Sequence, residues 1–127
     1  MDNNIHKLQK KINIKFKDVA LIKKAITHKS FDPVNNFEKL EFLGDRILGF
    51  VISIKLIELY PDEKEGILDK KLASLVNRNK CLEVGKSIGL NQFIILGKQF
   101  NKKVKKNEIV NKIISDCMEA LIGALYY

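Results

Sequence analysis

Apolar residues recur along most of this chain at the three- and four-residue spacing of amphipathic helices. The pattern predicts six helices, over residues 5–12, 18–27 and 36–59, from residue 68 or 69 onward, and over residues 80–88 and 108–127. Asp18 is a candidate N-cap of the second helix, and Pro61 follows the third as a stop signal. The segment QFIILG (residues 92–97) is strand-like in composition, but no partner strand is predicted, so we expect an extended or short helical connector. The predicted fold class is all-α.

The same periodicity predicts which face of each long helix is buried. The predicted stripe of the third helix consists of Leu40, Leu43, Ile47, Phe50, Val51 and Ile54. The predicted buried face of the fourth helix consists of Leu72, Leu75 and Val76. The inward residues of the last helix are predicted to be Ile113, Ile114, Cys117, Leu121 and Leu125.

Composition and charge indicate one globular domain and leave two explanations for its basic character. The chain has 127 residues, of which 46% are hydrophobic and 30% charged, enough for a core without disulfides or metals as staples. A formal charge of +8 favours a polyanionic partner such as nucleic acid or an acidic membrane surface. However, 21 of the 23 basic residues are Lys, so the bias of an A+T-rich genome is an equal alternative.

Targeting and compartment signals favour a cytoplasmic protein. The longest apolar run, residues 47–54, is far shorter than the roughly 18 residues that a membrane span needs. The segment MDNNIHKLQK lacks the apolar core of a signal peptide. Cys81 and Cys117 have no metal-ligand spacing, so we expect two small buried hydrophobes in a reducing compartment.

Acidic residues cluster on one face of the third predicted helix. The helical period places Glu38, Glu41 and Asp45 within roughly 60° of one another. Such a face is either solvated surface or the ligand set of a cation. Asp116 and Glu119 form a second acidic face on the last helix, at i and i+3.

Small residues accompany both acidic faces: Gly44 and Gly49 on the third helix, Ala120 and Gly123 on the last. A glycine inside a helix costs about 1 kcal/mol relative to alanine, which a close helix crossing would compensate. If the two helices cross there, their acids converge on one small volume. Converging carboxylates suit Mg²⁺, and a metal-activated water next to a phosphate suits phosphodiester hydrolysis. Ordinary helix surface is the alternative for each acid pair.

Several motifs resemble those of one family, the nuclease domain of bacterial ribonuclease III. The two main blocks are EKLEFLGD (residues 38–45) and DCMEALIGA (residues 116–124). Similarity continues, in the family's order, through THKS (27–30), YP (60–61), EG (65–66) and LV (75–76). The resemblance implies an all-helical, homodimeric nuclease domain over residues 1–127. Its implied reaction is Mg²⁺-dependent cleavage of double-stranded RNA, with Mn²⁺ able to substitute, leaving 5′-phosphate and 3′-hydroxyl ends during rRNA and mRNA processing.

The resemblance also implies roles for individual residues. Matched to the family's motifs, the catalytic metal ligands are Glu41, Asp45, Asp116 and Glu119. Glu38 and Glu65 match acids that assist in the RNA-cleaving valley. Phe42 lies about 40° from Glu38 on the helical wheel, away from the core stripe, and matches a phenylalanine that inserts into a socket of the other subunit. Cover by another helix of its own chain is the alternative for Phe42. Neither a membrane partner nor a small-molecule cofactor is expected.

The sequence departs from the family at two places. Arg46 replaces a usually small residue, and its charge either competes with a metal or meets a phosphate. Family members continue beyond residues 124–127 into another helix and a double-stranded RNA-binding domain, so we expect a truncated domain with low RNA affinity and a weaker dimer. The rival classes are a catalytically weak or inactive RNA-binding module, a small stand-alone relative, and a helical interaction protein.

Three weaker candidates have structural alternatives. His28 is either a ligand or base, or it holds a helix end by hydrogen bonds, which we favour. Residues 77–79 either contact RNA or form a helix-end turn, and the turn is favoured. The basic loop at residues 98–106 is either a phosphate-tracking patch or a surface loop.

Overall fold

A computed structural model describes residues 2–100 and 107–127 of the chain. The helices are α1 (Asp2–Ile12), α2 (Val19–Ala25), α3 (Glu38–Leu59), α4 (Glu65–Leu75), α5 (Arg78–Ser87) and α6 (Asn107–Tyr126). Two short 3-10 helices, Leu90–Gln92 and Lys98–Phe100, lie between α5 and α6. Over the described ranges there is no extended strand, only an isolated bridge. The all-α prediction is confirmed.

The starts of α2 and α4 differ in whether the sequence contains an N-capping residue. The Asp18 carboxylate accepts a hydrogen bond from the Leu21 backbone N–H at 3.2 Å, so the predicted N-cap is confirmed. Helix α4 begins at Glu65, whereas the sequence pattern predicted a start at residue 68 or 69. Its first turn follows Lys64, whose side chain makes no cap hydrogen bond, so the sequence carried no capping signal there.

The segment over residues 92–97 is a connector without a partner strand in the described ranges, as predicted, but it makes one backbone pairing that the sequence did not indicate. Ile95 forms a parallel bridge with Thr27. The His28 N–H donates to the Ile95 carbonyl at 2.9 Å, and the Ile95 N–H donates to the Ile26 carbonyl at 2.7 Å. The pairing joins segments far apart in sequence and is too short to leave a periodic pattern. It fastens the end of α2 to the connector.

Helix α6 is the centre of the core, packed against α2, α3 and α5. Its buried residues include Ile113, Ile114, Cys117 and Leu121, as predicted, but Leu125 is exposed. Cys81 and Cys117 are buried free thiols, which confirms their interpretation as small hydrophobes. Among the described residues, none of the helices has the length and apolarity that crossing a membrane requires.

Two glycines let α3 and α6 cross in backbone contact. A Cβ at Gly44 would lie 1.7 Å from the Glu119 carbonyl oxygen, and a Cβ at Gly123 would lie 2.2 Å from the Leu40 carbonyl oxygen. No side chain larger than hydrogen fits at either position. The predicted close crossing is confirmed for this pair. It does not account for Gly49, where an added Cβ meets nothing within 4 Å.

Much of the second half of α3 is exposed, although Leu56 is buried, so the predicted buried stripe is wrong beyond its first turns. Leu40 is buried, but Phe50 is 66% exposed, and Val51 and Ile54 are exposed as well. This half of α3 contacts α4, a helix with no buried residue of its own and with Leu75 exposed. The periodicity identified an apolar face correctly, but nothing in the described part of the chain covers it.

Candidate active site

The crossing of α3 and α6 forms an open pocket of about 460 Å³. Because Gly44 and Gly123 bring the helix axes together, the polar side chains just beside the crossing project into one volume. The lining residues are Glu38, Glu41, Phe42, Asp45, Arg46, Arg78, Lys112, Ser115, Asp116 and Glu119. Residues from α3, α5 and α6 therefore share this pocket.

Carboxylates of both helices meet at its centre. One oxygen each from Glu41, Asp116 and Glu119 lie within 4.8 Å of one another. Asp45 lines the same pocket, and its only ion pair among the described residues is with Arg46 at 3.5 Å. The convergence that the spacing predicted is confirmed, while the roles of these residues in metal binding and catalysis stay predictions.

Burial and the neighbouring carboxylates raise the pKa of two of these acids, Glu119 and Glu41. Burial, a hydrogen bond with Asp45, and the negative charges of Asp45, Glu41 and Asp116 raise the pKa of Glu119 to about 8. Burial, followed by the charge and hydrogen bond of Asp116, raises the pKa of Glu41 to about 7. The cluster therefore needs protons or a cation to be stable at neutral pH. Its all-oxygen donor set fits a hard divalent cation.

Lys112 supplies part of the missing positive charge. Its Nζ lies 2.5 Å from the Asp116 Oδ2, one helical turn away on α6. Sequence reasoning missed Lys112, although its i,i+4 spacing before Asp116 is the usual spacing of a helix ion pair. Ser115 was also missed; its hydroxyl donates to the Arg78 carbonyl at 3.2 Å and fastens the start of α5 beside the pocket.

Arg46 lies across the rim next to Phe42. The guanidinium carbon is 3.8 Å from the centre of the Phe42 ring. Nη1 donates to the Phe42 carbonyl at 3.2 Å and lies 3.5 Å from the Asp45 Oδ2. Phe42 itself is 61% exposed, so no helix within residues 2–100 and 107–127 covers it.

Glu38 and Glu65 are placed differently from each other. Glu38 lines the rim of the pocket and forms an exposed ion pair with Lys29 at 3.7 Å. Glu65 lies at the start of α4 in a separate small pocket, where its neighbours include Leu56 and Ile57. Within one chain, the structure does not bring Glu65 to the acid cluster.

The weaker candidates have structural contacts. The His28 Nδ1 and the Ser30 hydroxyl are 2.7 Å apart, and the ring packs edge-on against Phe37 and Phe100. Burial lowers the pKa of His28. The Asn77 side chain caps α5 by accepting from the Lys80 N–H at 2.9 Å. Of the basic loop, residues 101–106 lie outside the described residues.

Fold and pocket together define an all-helical protein with a carboxylate-lined candidate site for a divalent cation, built where two helices cross. Residues 18–127 match the family model described as ribonuclease-III-like. The chain belongs to the ribonuclease-III-like family, as its motifs indicated.

Named relatives match nearly the whole chain. Ribonuclease 3 of Pelagibacter ubique is 59% identical over 126 residues, which are 99% of this chain and 55% of the relative. Ribonuclease 3 of Coxiella burnetii strain Dugway 5J108-111 is 36% identical over 124 residues, or 98% of this chain and 52% of the relative. The chain thus spans about half the length of the curated relatives it matches.

Solved structures agree with this family. One structure of the nuclease domain of Campylobacter jejuni ribonuclease III superposes with a TM-score of 0.86 at 36% identity, covering 96% of this chain and 84% of that one. It is described as showing structural flexibility in a region involved in dimer formation. A 2.2 Å crystal structure of the same domain superposes with a TM-score of 0.84 at 36% identity. The match covers 97% of this chain and 82% of that one. The predicted fold of the ribonuclease III nuclease domain is confirmed.

Proposed function

We propose that this chain is the nuclease domain of an endoribonuclease that hydrolyses phosphodiester bonds of double-stranded RNA with Mg²⁺, leaving 5′-phosphate and 3′-hydroxyl ends. The observation that carries the proposal is the convergence of carboxylates from α3 and α6 in one pocket. The family and its named relatives support the same activity. Processing of rRNA and mRNA in the cytoplasm is the corresponding cellular role.

Glu41, Asp45, Asp116 and Glu119 would hold the cation. When bound there, Mg²⁺ or Mn²⁺ would supply charge neutralisation for a phosphate and lower the pKa of water. The protein's own part is to fix four carboxylates on two rigid helices that cannot slide, because Gly44 and Gly123 fix the depth of their contact. Without a cation, the raised pKa values of Glu41 and Glu119 leave both carboxyl groups partly protonated near neutral pH, so binding of a cation would displace protons.

We also propose that the domain acts as a homodimer through the uncovered face of α3 and α4. This face, called the apolar face below, consists of the exposed residues Phe50, Val51, Ile54 and Ile57 of α3 with Ile67 and Leu75 of α4, and Phe42 is a separate exposed contact beside the acid pocket. A monomeric protein rarely exposes so many large hydrophobic side chains together. Glu65 lies beside this face. Any assisting role of Glu65 at the acid cluster therefore depends on a second copy.

The proposal is tested by cleavage of a long RNA duplex at low salt, because phosphate contacts weaken steeply as salt rises. The wild-type protein should cut with Mg²⁺ and stop when a chelator is added. Glu119→Ala should cut about 100-fold more slowly or worse, since one of the converging ligands is lost. Glu83→Ala, which removes an exposed acid on α5 outside the pocket, is the matched control and should cut normally.

Equal cleavage rates for the wild type and Glu119→Ala would contradict the nuclease proposal. Duplex binding by the wild type without strand scission would instead favour the alternative of a catalytically weak or inactive RNA-binding module.

A further inference from the structure

The basic residues that line the acid pocket differ in type from those of the rest of the chain. The chain contains 21 Lys and only two Arg, Arg46 and Arg78, and both Arg line the pocket. Lys112 is the one Lys among the lining residues. A general lysine bias would fill a pocket rim mainly with lysine. The guanidinium group instead occurs only where the carboxylates converge.

Charge explains why cations are needed there. The lining residues include five carboxylates and three cations, which leaves a formal balance of −2. A divalent cation cancels that balance but leaves the pocket itself with no net positive charge for an RNA backbone, which carries one negative charge per phosphate. A group at the rim that can hold a phosphate without leaving the pocket would resolve this conflict.

Arg46 meets that requirement. Its ion pair with Asp45 is long, at 3.5 Å, and both side chains are more than half exposed, so the pair contributes little to stability. Its guanidinium offers five N–H donors, and the hydrogen bond to the Phe42 carbonyl uses one. Stacking on the Phe42 ring holds the planar group at the rim. Donors held in place are what bidentate phosphate recognition requires.

We propose that Arg46 is a substrate-binding residue that donates hydrogen bonds to a backbone phosphate of the RNA duplex beside the acid cluster. This rests on the proposed function only in taking double-stranded RNA as the ligand. It assigns Arg46 to the phosphate and not to competition with a metal.

The test measures binding of a fluorescently labelled RNA duplex by anisotropy over a salt series with chelator present. Arg46→Met keeps an apolar stem against Phe42 and removes the charge. It should weaken binding about tenfold and lower the slope of log K against log salt by about 1. Arg46→Lys should restore the slope and part of the affinity. Lys86→Met, an exposed lysine in the last turn of α5 outside the pocket, should change neither.

Cleavage with Mg²⁺ supplies the second arm. Arg46→Met should raise KM for the duplex about tenfold with little change in kcat, because a contact to a ground-state phosphate is lost. Thermal unfolding checks that Arg46→Met folds, and sedimentation equilibrium checks that it associates as the wild type does. If Arg46→Met unfolds, Arg46→Gln replaces it in the comparison. If Arg46 had only a structural role, Arg46→Lys would not restore the salt dependence of duplex binding.

Two results would overturn the proposal for Arg46. One is an unchanged Kd, salt slope and KM in Arg46→Met while the wild type cuts normally. The other is tighter Mg²⁺ binding in Arg46→Met with duplex affinity unchanged, which would show competition with the metal. A wild type that binds the duplex through Arg46 but never cuts it would contradict only the nuclease proposal. A wild type that neither binds nor cuts would overturn both.

Discussion

Glu41 and Glu119 couple the stability of the metal-free protein to pH. Both carboxyls have an ordinary pKa of 4.5, and the cluster raises the pKa of Glu41 to about 7 and of Glu119 to about 8. The folded state therefore binds these protons more tightly than the unfolded state. The resulting stability is complete below the ordinary pKa and is lost as pH rises through the folded values.

We predict that the melting temperature falls between about pH 7 and pH 8 in chelator, the interval between the two raised pKa values. His28 contributes in the opposite sense, because burial lowers its pKa, but that change is nearly complete above its ordinary value of 6.5. Glu119→Gln should flatten the fall, and millimolar Mg²⁺ should reverse it by binding the folded state. Differential scanning calorimetry of both proteins measures this. A wild-type melting temperature that rises with pH over this interval would contradict the account.

Individual site residues were predictable to the extent that their signal was local. Helical spacing and the family motifs indicated the acids of α3 and α6 without coordinates. Lys112 also had a local signal, its i,i+4 spacing before Asp116, whereas Arg78 had none because it reaches the pocket only when α5 packs on α6. For Arg46 the sequence left two interpretations, competition with a metal or contact with a phosphate. Its stacking on Phe42 is a contact that the sequence did not indicate.

At the level of helices, the α3–α6 crossing depends on Gly44. An alanine Cβ there would clash with the Glu119 backbone, which cannot move without displacing α6. We predict that Gly44→Ala lowers the free energy of unfolding by about 3 kcal/mol or more. Gly49→Ala is the matched control in the same helix, and its open surroundings predict a gain of about 0.5–1 kcal/mol. Urea denaturation measures both. Similar stability changes in the two variants would contradict the crossing.

The sequence predicted where helices begin and end better than it predicted which segments pack against them. Caps and periodicity are local, so α2 was placed from Asp18 and α3 ended where Pro61 indicated. The bridge between Thr27 and Ile95 depends on distant segments and left no pattern. The stripe of α3 was predicted to be buried, but Phe50 within it is exposed. Periodicity shows that a helix face is apolar but not what covers it.

For the whole molecule, the apolar face predicts association of two copies. We predict that Phe50→Glu weakens the homodimer about 100-fold or more, because a charge would be buried in the interface. Phe42→Ala should weaken it less, since it removes contact area without adding a charge. Val34→Glu, at an exposed apolar residue outside this face, is the control. Sedimentation equilibrium gives the constants. A wild type that stays monomeric at all concentrations would contradict the dimer.

The central claim is that acids of α3 and α6 form one cation site, and calorimetric titration with Mn²⁺ tests it most directly. We predict saturable binding by the wild type and at least about tenfold weaker binding after each of Glu41→Gln, Asp45→Asn, Asp116→Asn and Glu119→Gln. Glu83→Gln, at an exposed acid of α5 outside the pocket, should bind as the wild type does. Unchanged affinity after substitution of the acids of either helix would contradict the claim.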